Sequence, residues 1–209
     1  MADIYILSNT KVTGAKKLPV ITQKPLPQPI DFSLYDYLLF TSKNGVKALN
    51  SFTNGWKEVP ALVIGKATGD TVTSLGGTLY YTASSFYGED FAKEVSKLLP
   101  KSGRILLLKP KKVVSDIKSM LEKEGFCVYA KTVYETLCNC PKLPPPPKGS
   151  AILFSSPSTV ECFLKCFGWD ESYRAFALGK KSAQAFDGPV EIVRGKTLQE
   201  GVDYIKNLV

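Results

Sequence analysis

The chain has 209 residues, 44% hydrophobic and 22% charged, a globular composition that excludes disorder, collagen and coiled coil. Its formal net charge of +8 points to an anionic partner, and only Arg104, Arg174 and Arg194 among the cations are arginines. There is no histidine, which excludes Ser-His-Asp and Cys-His nucleophile systems, histidine-ligated zinc and imidazole acid/base catalysis.

The elements follow in chain order. Residues 3–8 and 18–22 read as two short strands. The apolar runs Leu38-Leu39-Phe40, Ala61-Leu62-Val63-Ile64, Ile105-Leu106-Leu107-Leu108, Ala151-Ile152-Leu153-Phe154 and Phe176-Ala177-Leu178 each end in Gly, Ser, Thr or Lys, the pattern of buried parallel strands closing in polar turns. Val113, Val114, Ile117, Met120 and Leu121 fall on one face of a helix that Gly125 closes. Alternating strands and helices give an α/β fold.

An internal repeat organises this series. Leu38 to Val46 resembles Ile152 to Val160, and Ala61 to Thr68 resembles Ala175 to Ser182. One offset of 114 positions separates both Phe40 from Phe154 and Gly65 from Gly179. The chain therefore reads as two similar flavodoxin-like domains with parallel sheets rather than one domain. The second copy runs out at Val209, so its missing strands are expected from the N-terminus. Domain 1 is then discontinuous, residues 1–28 with 146–209, and domain 2, residues 33–132, is inserted into it. A two-stranded connector, near 25–32 and 133–147, joins them. Lys142-Leu143-Pro144-Pro145-Pro146-Pro147 is extended, as expected of a crossing linker, with a ligand for polyproline-reading modules as the alternative.

Parallel sheets bind ligands at the carboxyl ends of their strands, where helix N-termini present free amides. Here those ends read Thr41-Ser42-Lys43-Asn44, Gly65-Lys66-Ala67-Thr68, Lys109-Pro110-Lys111-Lys112, Ser155-Ser156-Pro157-Ser158 and Gly179-Lys180-Lys181-Ser182. Hydroxyls, glycines and lysines without an acid suit several separated carboxylates or phosphates, although each residue taken singly also reads as a helix cap or a solvated cation. Gly-Lys-X-Thr/Ser is not a P-loop, because Pro60 and Arg174 stand where its first glycine is required.

Five cysteines, Cys127, Cys138, Cys140, Cys162 and Cys166, show no secreted-type framework and read as reduced thiols in a cytosol. Four of them are candidates for a zinc site only with irregular spacing, so no metal is expected. No run approaches the ~18 apolar residues of a membrane span, and the start of the chain lacks a signal segment, so a soluble, cytoplasmic protein is expected.

Taken in order, Phe40-Thr41-Ser42-Lys43-Asn44-Gly45-Val46, Ile64-Gly65-Lys66-Ala67-Thr68, Leu106-Leu107-Leu108-Lys109, Val133-Tyr134-Glu135-Thr136, Phe154 to Val160 and Leu178-Gly179-Lys180-Lys181-Ser182 resemble the uroporphyrinogen-III synthase family over roughly residues 35 to 205. The resemblance implies a monomeric, cofactor-free lyase of porphyrin and heme biosynthesis. It cyclises the linear tetrapyrrole hydroxymethylbilane to uroporphyrinogen III, inverting ring D through a spiro intermediate. It further implies Tyr134 as proton donor to the departing hydroxyl. Thr41, Ser42, Asn44, Gly65, Lys66, Thr68, Lys109, Ser155, Ser156, Ser158, Gly179, Lys180 and Ser182 are the matching positions for carboxylate contacts.

Two departures from the family stand out. Leu7 to Lys11 lacks the usual Arg, and about nine residues separate the first two strands, fewer than a helical crossover needs, so domain 1 is expected to lack a helix and to leave one sheet face thinly covered. Lys109 replaces another Arg, keeping charge but losing bidentate geometry. A non-catalytic anion-binding or sensor protein is the alternative reading. Nucleic-acid binding is disfavoured because the lysines are dispersed without interleaved aromatics.

Overall fold

The computed structural model describes residues 2–83, 88–112, 116–195 and 197–208. In chain order the strands and helices are β1 (Ile4–Ile6), β2 (Lys16–Lys17), β3 (Ile21–Pro25), β4 (Tyr37–Phe40), α1 (Lys43–Asn50), β5 (Ala61–Ile64) and α2 (Lys66–Ser74). There follow β6 (Leu79–Ala83), α3 (Gly88–Leu98), β7 (Arg104–Pro110), α4 (Ile117–Lys123) and β8 (Cys127–Cys138). The last third holds β9 (Ala151–Phe154), α5 (Pro157–Phe167), β10 (Arg174–Ala177), α6 (Lys180–Gln184), β11 (Val190–Ile192) and α7 (Leu198–Lys206). Val113 and Val114, expected on the face of α4, lie outside the described residues; Ile117 and Leu121 are buried on it, and Gly125 ends it in a left-handed turn at φ 90°.

The chain divides into two compact units, one of Met1–Thr22 with Leu137–Val209 and one of Gln23–Thr136. The chain passes between them along β3 and β8. Their hydrogen bonds run antiparallel: Leu26 donates to the Val133 carbonyl and Asn139 to that of Val20, at 2.9 and 2.8 Å.

The inserted unit has the strand order β3-β8-β7-β4-β5-β6, and from β8 to β6 every neighbour is parallel. Apolar runs without alternation form these strands because both sheet faces are covered. On one face Leu38, Phe40, Leu106 and Leu108 pack with Val46 and Leu49 of α1 and Val72 of α2. On the other, Leu39, Leu62, Ile105 and Leu107 pack with Phe91 and Val95 of α3 and Leu121 of α4. The chain leaves β4 toward β5 and later returns to β7 on its other side, so the direction of winding reverses between β4 and β7, where ligands bind in open parallel sheets.

The discontinuous unit has the order β11-β10-β9-β1-β2, parallel throughout, with its reversal between β1 and β9. No helix joins β1 to β2, as expected, but the strand expected over 18–22 is not there: nine residues of loop lead to β2 at Lys16–Lys17, and residues 18–20 break the chain before β3, because Pro19 cannot donate to the ladder. The face is not thinly covered, however. Val12 and Ala15 from that loop join the cluster of Ile4, Ile6, Leu153, Phe176, Val202 and Ile205. The loop is laid on α7 by hydrogen bonds from the Thr13 amide to Gln199 and from Gln199 and Lys206 to the Thr13 carbonyl. The opposite face is dominated by Phe154, Phe163, Phe186 and, partly buried, Trp169, whose rings meet at centroid distances of 4.6 to 6.4 Å.

The cysteines are not free thiols. Cys138 is bonded to Cys162 and Cys140 to Cys166, with Cα separations of 5.0 and 5.1 Å, and only Cys127 is free and exposed. The physical reason is a match of periods. Two residues of extended chain and one helical turn both advance about 6 Å, so a C-x-C stretch laid along a C-x₃-C helix face brings both pairs into register. The bridges also remove the cysteine argument for a reducing compartment.

Candidate active site

In the inserted unit the register places Phe40 opposite Leu108 and Pro110 opposite Tyr134, so the ends of β4 and β7 lie close together and next to Tyr134, which sits within β8 four residues before its end. Thr41, Ser42 and Asn44 follow β4, Lys109 lies in the last turn of strand β7, and Tyr134 stands beside Pro110. Ser42 caps α1, its Oγ accepting the Asn44 amide at 3.2 Å. Gly65, at φ 85°, turns β5 into α2, a conformation in which a side chain would be strained. Lys66 leaves that turn exposed and reaches Asp70 at 2.8 Å, one helical turn along. Thr68 is buried, 5% exposed, and stands behind the turn rather than on it.

Tyr134 is likewise 5% exposed, packed in the cluster of Phe40, Val46, Leu108 and Val133. Burial raises its phenol above the ordinary tyrosine value, and a hydrogen bond with Ser42 pulls it partly back. The proton therefore stays on the oxygen at neutral pH. A Cβ at Gly45 would make ordinary contacts, 3.7 Å from Tyr134 Cε1 and 3.4 Å from the Leu108 carbonyl, so the ring packs beside this position without requiring glycine there.

The discontinuous unit repeats the arrangement at β9 and β10. Ser156 caps α5 in a reciprocal box with Thr159, with Ser155 and Ser158 on either side. Thr159 is fully buried, and its hydroxyl accepts the amides of Ser155 and Ser156 at 3.2 and 3.1 Å. Gly179 opens α6 in extended backbone, φ −171°, with exposed Lys180 beside it and Ser182 buried as Thr68 is.

No acidic residue occupies the first turn of α1, α2, α5 or α6. Acids do come near: besides Asp70, Glu135 follows Tyr134 and pairs with Lys111 at 2.9 Å. Lys66 and Lys111 are thus already neutralised, whereas among the described residues Lys109 and Lys180 hold no ion pair. The spacing of Lys66 and Asp70 was the available signal for the first pair. Thr159 was quoted within the repeat without a role; its signal is its place three residues after the cap Ser156. No group of three or more His, Cys, Asp or Glu among the described residues is arranged to hold a metal. A depression of about 410 Å³, lined by residues including Tyr173, Phe176 and Val190, lies at the starting ends of β10 and β11, away from all these turns.

The model of the family uroporphyrinogen-III synthase HemD matches residues 15–189. Among solved structures, the uroporphyrinogen-III synthetase of Helicobacter pylori 26695 is similar at 22% identity and a TM-score of 0.83, covering 100% of each chain. A mutant uroporphyrinogen III synthase of the extremely thermophilic bacterium Thermus thermophilus is similar at 14% identity and a TM-score of 0.55, covering 99% of this chain and 98% of that one. At these identities the likeness is one of fold. No curated protein matches the sequence significantly.

Proposed function

The chain belongs to the uroporphyrinogen-III synthase family, and from that premise we propose which of its residues carry the cyclisation of hydroxymethylbilane to uroporphyrinogen III. Substrate and product carry an acetate and a propionate on each pyrrole, so the protein must hold many carboxylates at once. The observation that carries the assignment is that four helix starts, α1, α2, α5 and α6, open at parallel strand ends without an acid in their first turns. Backbone amides there offer charge-assisted hydrogen bonds. Thr41, Ser42, Asn44, Gly65, Lys109, Ser155, Ser156, Ser158, Gly179 and Lys180 line these turns as carboxylate contacts. Lys66, tied to Asp70, and the buried Thr68 and Ser182 serve the same turns by shaping them.

The reaction begins with departure of the hydroxyl from ring A. Tyr134 gives it a proton, so that water leaves and an electrophilic azafulvene remains. Ring D attacks through its substituted carbon, and the spiro intermediate fragments and recloses with that ring inverted. The pyrroles supply the electron push, which leaves the protein to fold the chain and exclude uninverted closure. The two units, Met1–Thr22 with Leu137–Val209 and Gln23–Thr136, act as the family's two domains, and the protein works as a monomer. No described helix is long and apolar enough to cross a membrane.

The test is to supply hydroxymethylbilane generated in situ, oxidise the products and separate the uroporphyrin isomers. Type III in excess is expected. Type I alone, the product of spontaneous closure, would leave an anion-binding protein without turnover. Tyr134→Phe is expected to lower turnover by about a hundredfold, within the range of general acid catalysis.

A further inference from the structure

The two bridges join the same two segments but sit in different surroundings. Cys138–Cys162 is the inner one: Cys162 is 3% exposed, within the cluster of Phe154, Val160 and Phe163, and Cys138 packs against that cluster. Cys140–Cys166 is the outer one, with Cys140 exposed and Cys166 half-buried in the last turn of α5. The chain that follows Cys140 has few other ties. The Asn139 amide donates to the Val20 carbonyl at 2.8 Å, and the next hydrogen bond comes at Pro146, whose carbonyl accepts the Tyr173 hydroxyl at 2.6 Å. Between them runs Cys140-Pro141-Lys142-Leu143-Pro144-Pro145, in which every proline lacks an amide to give and Lys142 and Leu143 are exposed. Among the described residues no hydrogen bond reaches this run, and the outer bridge fastens it.

We propose that Cys140–Cys166 is a thiol–disulfide exchange site: an external thiol enters at the exposed Cys140 sulfur, and opening the bridge frees residues 140–145 while Cys138–Cys162 keeps the end of β8 on α5. In the first step a thiolate of the external thiol attacks Cys140 Sγ and forms a mixed disulfide there. The Cys140–Cys166 bond breaks, its electron pair goes to Cys166 Sγ, and that sulfur takes a proton. A second external thiolate then attacks its own kind in the mixed disulfide and releases Cys140 as a thiol. Two external thiols are thus oxidised to one disulfide, and the bridge gains the two electrons. Which sulfur is attacked depends on access, and here access favours Cys140 over every other bridged cysteine. The inner bridge is reached only after α5 opens locally, which costs the packing of Val160 and Phe163. The C-x-C stretch therefore pairs one bridge that holds with one that exchanges.

The experiment uses the full chain purified without reductant, its free Cys127 first blocked with iodoacetamide. Reduced glutathione is added, thiols set free are trapped with N-ethylmaleimide at timed intervals, and both adducts are located by peptide mass spectrometry. Glutathione on Cys140 and maleimide on Cys166 are expected to appear roughly tenfold faster than either adduct on Cys138 or Cys162, the difference between an accessible bridge and one that waits for local opening. Trypsin cleavage after Lys142 is expected to quicken roughly tenfold once the outer bridge is open, because a loosened surface run is cut more readily. The double variant Cys140→Ser with Cys166→Ser, its inner bridge verified by the same mapping, is expected to be cut at the fast rate with no glutathione present. Labelling of all four cysteines at one rate, or of Cys138 and Cys162 first, would overturn the separate exchange site. Glutathione on Cys166 in place of Cys140 would overturn the point of entry. Cleavage after Lys142 that stays slow in the opened protein and in the double variant would overturn the fastening of residues 140–145. Maleimide on the four cysteines before any glutathione is added would overturn the bridges themselves.

Discussion

The turn after β4 and the turn after β9 occupy equivalent places in the two units, and both begin their helix on a serine cap. They share that serine and differ at Thr41/Ser155, Lys43/Pro157, Asn44/Ser158 and Gly45/Thr159, of which the last carries the contrast. Thr159 fills the turn after β9 with a buried hydroxyl that satisfies two amides and a carbonyl. Gly45 brings no hydroxyl to the turn after β4, where Tyr134 of β8 packs at ordinary contact distance from its Cβ position. The glycines of the neighbouring turns differ too, Gly65 lying at φ 85° and Gly179 in extended backbone. The duplicated frame thus closes one turn on its own hydroxyl and leaves the other without one. The unit with the self-closed turn also carries both disulfides.

That asymmetry is broken most strongly at the bridges. Each closes a loop of about 25 residues, and reducing the first is expected to lower the stability of the discontinuous unit by about 3 kcal/mol. Denaturant midpoints with and without reductant measure this, and the transition of the inserted unit should not move. Coincident midpoints would mean that the four thiols are free in solution. Next, Gly45→Thr imposes the Thr159 solution on the other turn. Its Cβ makes ordinary contacts with Tyr134 and the Leu108 carbonyl, so only the atoms beyond Cβ can crowd the phenol; turnover is expected to fall by about tenfold, with the midpoint for the inserted unit changed far less. The reciprocal change, Thr159→Ala, strands the amides of Ser155 and Ser156 and is expected to cost about 2 kcal/mol, read from the chemical denaturation of the discontinuous unit.

The smallest effect lies at the far end of the inserted sheet. Arg104 holds Asp36 in a two-pronged contact at 3.0 and 2.9 Å, with a further hydrogen bond from the Arg104 amide, and lowers the carboxyl to about 2. Because the folded value lies below the unfolded one, this contribution is present above about pH 4 and is lost as pH falls toward 2. It is small because both side chains are 42% exposed and water screens the pair. Asp36→Asn should flatten that part of the acid unfolding curve, and an unchanged curve would assign it to other carboxylates.

The central strands were legible because a parallel sheet covered on both faces leaves unbroken apolar runs, as in Leu38–Phe40 and Ala151–Phe154. The strand ends were legible with them, and so were the candidate turns. Less legible was which hydroxyls face outward. Thr68 and Ser182 share a spacing from their glycines, and that spacing turns both inward, a consequence of helix phase that composition does not carry. The short link from β1 to β2 was visible, but its packing on α7 depends on partners nearly two hundred residues away, Gln199 and Lys206. The bridges escaped for a related reason: cysteine spacing constrains a pair only once the element lying across from it is known.

The pairing of β1 with β9 sets Ile4 against Ala151. During synthesis the ribosome must therefore release the whole of residues 23–136 before the first strand meets its partner. The inserted unit has β4 to β8 available by then and folds on local contacts, while β1 and β2 wait as unpaired edges. Circular permutation that moves residues 1–22 to follow residue 209 would abolish the wait and make the two units emerge one after the other.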